Sequence, residues 1–407
     1  MPTTTLPNGL RVIFQPTPSD VIHCGYVIQA GTRNEAPDDS GMAHFIEHTS
    51  FKGTQRRRSF HINNSLERLG GDLNAFTNKQ ETVYYATILK EHFPNAADIL
   101  SDLVFHSIYA QHEIDKEVEV ICDEIESYLD SPAELIFDDF EAMIFAGDPL
   151  GRDILGRAER LRQYTTADAL RFVRQWYTPQ NAVFYVTGNL KWSRITSLLE
   201  RLTSSASTQG QTVPLRPAAM PVAAAPSKKV IEKGTHQAHV IVGAPTFGGY
   251  DERRYALALL NNILGGPAMN SRLNMSLREH SGLVYTVDSY LTTYVDAGFW
   301  CVYFGCDAHD VERCLRLVQK ELQHFIDVPL TPRQLASAQT QLIGQLRIAD
   351  ANAESHALAL GKDFAHYHIV RDTRSIADAI RAVTAESLQQ LAAEVYAHER
   401  LFTLVYQ

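Results

Sequence analysis

The stretch His44-Phe45-Ile46-Glu47-His48 holds residue types that could do hydrolytic chemistry. On a helix, positions four apart lie one above the other, so both imidazoles would share a face and could hold one divalent metal ion. Glu47 leans toward the same face, within reach of a water molecule bound to that ion. A hydrolytic zinc site uses three protein ligands, so the pattern predicts a third ligand elsewhere. The alternative is a pair of surface histidines beside a solvated glutamate.

A second helix that could supply the third ligand is predicted at residues 116–128, where apolar residues recur at helical spacing. Glu117 and Glu124 are seven positions apart and therefore share a face of this helix. Each glutamate of the stretch could equally be a solvated surface residue. The spacing leaves four candidate ligands open: Glu117, Glu119, Glu124 and Glu126.

The composition is that of a globular protein with room for two domains: 407 residues, 45% hydrophobic and 21% charged. A net charge of −10 argues against nucleic acid as a partner, because a phosphate-binding surface needs an excess of lysine and arginine. No run of apolar residues is long enough for a membrane span. The N-terminus lacks the features of a signal or transit peptide, so we expect a cytoplasmic protein. Five cysteines without a C-x-x-C pair argue against a disulfide framework or a cysteine zinc site.

A change in composition at residues 203–228 predicts a linker, since small, polar and proline residues replace hydrophobic periodicity there. It separates an N-terminal domain, 1–202, which carries the metal motif, from a C-terminal domain, 229–407, which does not. Strands are predicted at 10–14, 23–28, 182–186, 239–242 and 401–406, and helices at 96–110, 118–129, 310–325 and 376–395. Strands mixed with helices predict an α+β fold: two homologous sandwich-like domains, each an antiparallel or mixed sheet packed with helices.

The pattern H-x-x-E-H is the zincin helix motif in reverse order. With the flanking segments Gly31-Thr32-Arg33-Asn34-Glu35 and Gly41-Met42-Ala43, it resembles the pitrilysin/insulinase inverzincins, above all the branch of the mitochondrial processing peptidase and its bacterial relatives. In that family the third ligand is a glutamate about 76 positions after the second histidine, which here is Glu124. The resemblance implies one Zn²⁺ held by His44, His48 and Glu124, with Glu47 as the general base. It also implies that Glu117 supports the ligands from outside.

Two further segments resemble the family. Gly70-Gly71-Asp72-Leu73-Asn74-Ala75-Phe76-Thr77 is similar to an edge strand to which substrate backbone adds, which implies substrate contacts at Asn74, Ala75 and Phe76. The alternative for these residues is an ordinary edge strand. Arg278 and Tyr285 resemble a pair that, in relatives, reaches the catalytic cleft from the C-terminal half and could donate to an oxyanion. Taken alone, they would be a surface arginine and a core tyrosine.

The resemblance implies a zinc endopeptidase for short or unfolded peptides, with two domains that close like a clamshell and a homodimer as the expected assembly. The glycine-rich loop of the non-catalytic processing subunit is absent, because Leu264-Gly265-Gly266-Pro267 is too short for it. This departure favours a catalytic subunit or a bacterial enzyme that acts with a copy of itself. The alternatives are a catalytically silent member that serves in assembly, and a zinc hydrolase of non-peptide substrates. The cleavage preference is left open.

Overall fold

The computed structural model describes residues 1–214 and 223–407, so residues 215–222 of the predicted linker lie outside the described residues. The chain divides into two compact units. The first unit combines Met1–Glu126, a segment that begins at Arg152, and Asp350–Val370. The second combines Ser127–Gly151, a segment that ends at Ala349, and Arg371–Gln407. The sequence predicted two domains divided at a single linker. It did not predict that Ser127–Gly151 would belong to the second unit and Asp350–Val370 to the first.

The strands, in chain order, are β1 (Thr3–Thr5), β2 (Arg11–Pro16), β3 (Val21–Ile28), β4 (Asp72–Thr77), β5 (Thr82–Leu89), β6 (Ala182–Gly188), β7 (Lys228–Ile231), β8 (Ala238–Phe247), β9 (Val284–Thr293), β10 (Ala297–Cys306) and β11 (Phe402–Tyr406). The helices are α1 (Met42–Ser50), α2 (Ser59–Glu67), α3 (Phe93–His106), α4 (Gln111–Leu129), α5 (Pro132–Ile144), α6 (Ala158–Leu161), α7 (Thr166–Trp176), α8 (Trp192–Leu202), α9 (Arg254–Gly265), α10 (Val311–Asp327), α11 (Pro332–Ala349), α12 (Ala353–Tyr367), α13 (Thr373–Arg381) and α14 (Ala385–Val395).

Each unit is built on one mixed sheet. In the first unit the strand order is β1-β2-β6-β3-β5-β4, with β2 parallel to β6 and the other neighbours antiparallel. In the second unit the order is β7-β11-β8-β10-β9, with β7 parallel to β11 and the rest antiparallel. The predicted α+β class, with two domains of mixed sheets packed with helices, is confirmed.

In each unit, one face of the sheet is covered by a helix from the other half of the sequence. Helix α12 lies on the first sheet, where Leu360 packs with Val27 and Val183 in one apolar cluster. Gly361 permits this close approach, because a Cβ there would lie 2.4 Å from a ring carbon of Tyr185. Helix α5 covers the second sheet in the same way. Both sheets are therefore buried on both faces, although the helices that bury them are far away in sequence.

Two helix predictions need correction. The single helix predicted at 376–395 is wrong: the chain forms α13 and α14, and the second begins where Thr384 accepts a hydrogen bond from the Ser387 N–H at 3.1 Å. The helix predicted at 96–110 is shorter at its end, because α3 stops at His106. Tyr109 has a φ of +51°, a left-handed value that a right-handed helix does not accommodate.

Candidate metal centre

Helix α1, which carries the H-x-x-E-H motif, is fixed at its start by the buried carboxyl group of Glu35. Gly41 precedes the helix with a φ of +79°. Glu35 accepts hydrogen bonds from the N–H groups of Gly41 at 3.2 Å and Ala43 at 2.9 Å, which satisfies donors that a helix start leaves unpaired. Burial raises the pKa of Glu35 to about 8, against the effect of these two donors. The helix start is thereby fixed in position and register.

The other end of α1 is fixed by hydroxyl groups in the core. Ser50 Oγ lies 3.0 Å from the Tyr84 hydroxyl and 3.1 Å from that of Tyr109. Phe45 and Ile46 are fully buried in the main core of the first unit. With its apolar face and both ends held, α1 offers a rigid support for the residues on its remaining face.

The structure brings the three predicted ligands together. The ligand atoms of His44, His48 and Glu124 all lie within 4.8 Å of one another. Glu124 Oε2, on α4, is 3.5 Å from His48 Nε2 and 3.9 Å from His44 Nε2. The ring centroids of the two histidines are 4.5 Å apart. The i, i+4 spacing on α1 and one residue of a second helix thus converge on a common point.

These residues fit a zinc ion. Tetrahedral zinc with bonds of about 2.0–2.2 Å places its ligand atoms roughly 3.3 Å apart. The two distances to Glu124 exceed that value by only a few tenths of an ångström. Two imidazole nitrogens and one carboxylate oxygen also form a donor set found in hydrolytic zinc sites, where a fourth position stays open for water.

Electrostatics keep His44 in its neutral, ligating form. Without a bound cation, burial, assisted by the neighbouring His48, lowers the pKa of His44 to about 3, so this imidazole is neutral. Burial alone would lower the pKa of His48 as well, but its hydrogen bond to Glu117 and the neighbouring carboxylates raise it. His48 Nδ1 donates to Glu117 Oε1 at 3.1 Å, which leaves Nε2 facing Glu124. Burial alone would raise the pKa of Glu117, but His48 and Lys52 hold it below the ordinary value. Glu117 is therefore a charged acceptor that fixes the ring of His48, the usual arrangement around ligating histidines.

Glu47, the predicted general base, lies on the same helix and is 9% exposed. Its Oε2 accepts a hydrogen bond from Thr77 Oγ1, at the end of β4, at 2.9 Å. Burial raises the pKa of Glu47, and His48 and Thr77 offset part of that rise. A carboxylate whose pKa is raised toward neutrality is suited to taking a proton and returning it.

The predicted substrate strand is β4, at the edge of the first sheet. Asn74, Ala75 and Phe76 pair with Tyr85, Tyr84 and Val83 of β5 on one side. Within the described ranges, no strand pairs with the other side of β4. These three residues thus lie on an open edge that leads directly to Thr77 and Glu47.

The predicted Arg278 and Tyr285 belong to the second unit. Arg278 lies in a short π-helical turn, Asn274–Glu279, and its guanidinium carbon is 5.7 Å from the ring centroid of Tyr285. Tyr285 is 82% exposed, so the alternative of a core tyrosine is wrong. Both line a small cavity of about 220 Å³. The other predicted site residues are all in the first unit.

The second unit contains a helix like α1 without the ligands. Helix α9 follows β8 and packs on the edge strand β9, as α1 follows β3 and packs on β4. Ala258, Asn261 and Asn262 have the spacing of His44, Glu47 and His48. Asn261 Oδ1 accepts from Ser289 Oγ at 2.5 Å, much as Glu47 accepts from Thr77. The helix of the second unit that matches α1 therefore offers no imidazole or carboxylate at the positions equivalent to His44, Glu47 and His48.

Sequence reasoning missed the roles of Thr77, Lys52 and Glu35, although all three stand inside or beside the quoted motifs. Lys52 Nζ lies 2.5 Å from Glu117 Oε2 and so shares that carboxylate with His48. No characteristic sequence spacing predicts the positions of these three residues. The one feature of the sequence that could have indicated them is that they lie close to the motifs along the chain.

Comparisons with known proteins show which family the chain resembles. Residues 11–158, which include all three candidate ligands, match the family described as Insulinase (Peptidase family M16). Residues 163–342 match the one described as Peptidase M16 inactive domain. An "Uncharacterized zinc protease YmxG" of Bacillus subtilis is 31% identical over 98% of this chain and 97% of its own length. An "Uncharacterized zinc protease" of Streptomyces coelicolor is 32% identical over 96% of this chain and 86% of its own.

Solved structures share the fold. A protease from Helicobacter pylori matches with a TM-score of 0.90 and 19% identity, covering 100% of this chain and 99% of its own. A peptidase M16 inactive domain from Pseudomonas fluorescens matches with a TM-score of 0.90 and 18% identity, covering 100% and 97%. Two sheet-and-helix units, the first with the candidate site on α1 and α4, are the architecture that this chain shares with those structures. The chain belongs to peptidase family M16, the insulinase family.

No helix in the described ranges combines the length and apolar character that crossing a membrane requires.

Proposed function

We propose that this chain is a zinc-dependent endopeptidase that hydrolyses short or unfolded peptides with a metal-activated water. The observation that supports it most is the convergence of His44, His48 and Glu124 next to the buried carboxylate of Glu47. A ligand set with a poised base is what such hydrolysis requires. The relatives that are named zinc proteases support the same reaction.

In this proposal His44, His48 and Glu124 hold the zinc ion. A zinc ion in such a site supplies Lewis acidity toward a carbonyl oxygen and lowers the pKa of a bound water. Glu47 takes the proton of the attacking water on its carboxylate and delivers it to the leaving amine. Glu117 keeps the ring of His48 oriented through Nδ1. Arg278 and Tyr285 are proposed to donate to the oxyanion of the tetrahedral intermediate.

The substrate class follows from the open edge of β4. A peptide in extended conformation can add to such an edge through main-chain hydrogen bonds, with little demand on its sequence. Asn74, Ala75 and Phe76 would supply those bonds, and the strand leads to Thr77, which contacts Glu47. Most of the backbone of a folded protein is already paired in its own helices and sheets, so short or unfolded peptides are the proposed substrates.

The test is a peptide-library digest read by mass spectrometry, with wild-type protein and Glu47→Gln prepared identically. Wild-type protein should generate new termini, lose this activity on chelation and regain it with Zn²⁺. Glu47→Gln should bind zinc normally and lose at least about 100-fold in rate, because it cannot accept the proton. Cleavage by Glu47→Gln at the wild-type rate, or cleavage that chelator does not affect, would contradict the proposal.

The same digest separates this proposal from a catalytically silent assembly subunit, for which no termini should appear. The expected homodimer remains a prediction that rests on the family resemblance, and the cytoplasmic location remains a prediction as well. Sedimentation of the zinc-loaded protein at several concentrations would test the dimer.

A further inference from the structure

The turn between β4 and β5, residues 78–81, is held by its own hydrogen bonds. Asn78 Nδ2 donates to Glu81 Oε1 at 2.6 Å, and the Asn78 N–H donates to the Glu81 carbonyl at 3.0 Å. Asn78 Oδ1 accepts from the N–H groups of Gln80 and Glu81. The turn also packs on Gly31, where a Cβ would lie 2.2 Å from the Asn78 carbonyl oxygen. The turn follows directly after Thr77.

Glu81 ties this turn to helix α12. Its carboxylate is 3% exposed and makes two ion pairs, Oε2 with His366 Nε2 at 2.8 Å and Oε1 with Lys362 Nζ at 3.0 Å. Burial alone would raise the pKa of Glu81, but His366 and Lys362 hold it well below its ordinary value. The carboxylate is therefore charged, and releasing it from its partners would leave a buried charge uncompensated.

Thr77 connects the β4–β5 turn to Glu47, the proposed general base. Thr77 and Thr82 are the residues on either side of the turn, and their hydroxyls are 3.3 Å apart. Thr82 Oγ1 donates to the Ala30 carbonyl at 2.9 Å, and Thr77 Oγ1 donates to Glu47 Oε2 at 2.9 Å, a shorter contact than its 3.3 Å distance to Thr82. A shift of the turn would move Thr77, which directly precedes it, relative to Glu47 on α1.

We infer that Glu81 is a positioning residue: its ion pairs to Lys362 and His366 hold the β4–β5 turn, and the turn keeps Thr77 donating to Glu47. The inference rests on the proposed function for its effect on catalysis. Helix α12, from the C-terminal half of the sequence, thus acts on the active centre without contributing a residue to it.

The experiment compares zinc-loaded wild type, Glu81→Gln, Thr77→Val and Thr77→Ser. Backbone amide exchange of residues 72–82, zinc per chain, and kcat and KM on a quenched peptide are measured for each. Glu81→Gln should exchange faster in 72–82 and keep its zinc. It should lose about tenfold or more in kcat with little change in KM, because a small misplacement of a reacting group is costly. Thr77→Val should lose kcat similarly without faster exchange, and Thr77→Ser should restore it.

Asp102→Asn is the matched control. Asp102 is fully buried and pairs with Arg56 and Arg57, but it does not contact the β4–β5 turn. It should lose stability while its exchange in 72–82 and its kcat stay at the wild-type values. If Glu81→Gln does not fold, Lys362→Met takes its place, since Lys362 is 39% exposed and more tolerant of change.

Unchanged exchange in 72–82 in Glu81→Gln, or a kcat loss that only follows lost zinc, would overturn the inference. An equal loss of kcat in Asp102→Asn would overturn it as well, since general destabilisation would then explain the effect. Absence of cleavage by the wild type would refute the proposed function instead, and the exchange measurement would still decide whether Glu81 holds the turn.

Discussion

Glu117 Oε1 lies 3.1 Å from Nδ1 of His48, on the side of the ring opposite to the nitrogen that faces Glu124. The carboxylate thus selects the tautomer whose free nitrogen can bind a metal. Because Glu117 also pairs with Lys52, it is held even when His48 moves.

Replacing Glu117 by glutamine should lower zinc affinity about 10- to 100-fold, since the amide orients His48 without a full charge. Competition titration with a coloured chelator measures the zinc affinity of each variant. Glu113→Gln is the matched control: it lies one turn earlier on α4 and pairs with Lys116 at 3.3 Å, away from the ligands. Equal affinities of the two variants would remove Glu117 from the support of the site.

Replacing Glu124 by glutamine should empty the site, because the third ligand, which is the anionic one of the set, is lost. Glu119→Gln should keep its zinc, since Glu119 is on another face of α4 and pairs with Arg162 at 3.1 Å. Elemental analysis of both purified variants gives zinc per chain. Equal zinc content in the two would refute the assignment of Glu124 as a ligand.

Replacing Tyr285 by phenylalanine removes its hydroxyl group. This should lower kcat about 100-fold with zinc content unchanged, as expected for the loss of an oxyanion donor. Tyr290→Phe is the control on the same strand, where the tyrosine is also partly exposed. Steady-state kinetics on a quenched peptide distinguishes an effect on kcat from an effect on KM. A change confined to KM would make Tyr285 a binding contact instead.

The stability of the fold should depend on pH through Glu35. In the unfolded chain a glutamate ionises near pH 4.3, as model peptides do, whereas burial raises the pKa of folded Glu35 to about 8. The folded state therefore binds one more proton between these values, and the free energy of unfolding should fall as pH rises from about 5 to about 8. The slope is up to about 1.4 kcal/mol per pH unit.

Urea unfolding of zinc-loaded wild type and Glu35→Gln at a series of pH values tests this dependence. The variant should be less stable at pH 5, since an amide caps α1 less well, but its stability should change less between pH 5 and 8. Parallel curves for the two proteins would show that Glu35 does not titrate in this range.

Much of the fold was predictable from local patterns. The apolar run at 182–186 predicted β6, which is buried along its whole length, and helical spacing predicted α4 and α10. The exchange of α5 and α12 was not predictable, because an apolar stripe shows that a helix has a buried face without showing which sheet covers it. The break between α13 and α14 was missed because a threonine cap interrupts the helix without interrupting the apolar spacing.

The candidate site shows the same limit. The i, i+4 spacing predicted that His44 and His48 share a face, since that follows from helix geometry alone. The choice of Glu124 among four glutamates required the family resemblance, because spacing within α4 does not locate α1. Thr77 and Glu81 act through contacts that only the folded chain creates, and Glu81 meets His366 from 285 positions away.

Helices α5 and α12 each pack on the sheet of the other half of the sequence, which limits when each half can fold during synthesis. A fragment ending near the linker would expose the valine-rich face of the first sheet, including Val27 and Val183, to water. The face of the first sheet cannot be covered by α12 until residues near Tyr367 have left the ribosome, when most of the second unit has also been made. Both halves should therefore mature together late in translation, and the contact between Glu81 and His366 can form only after nearly the entire polypeptide has been synthesised.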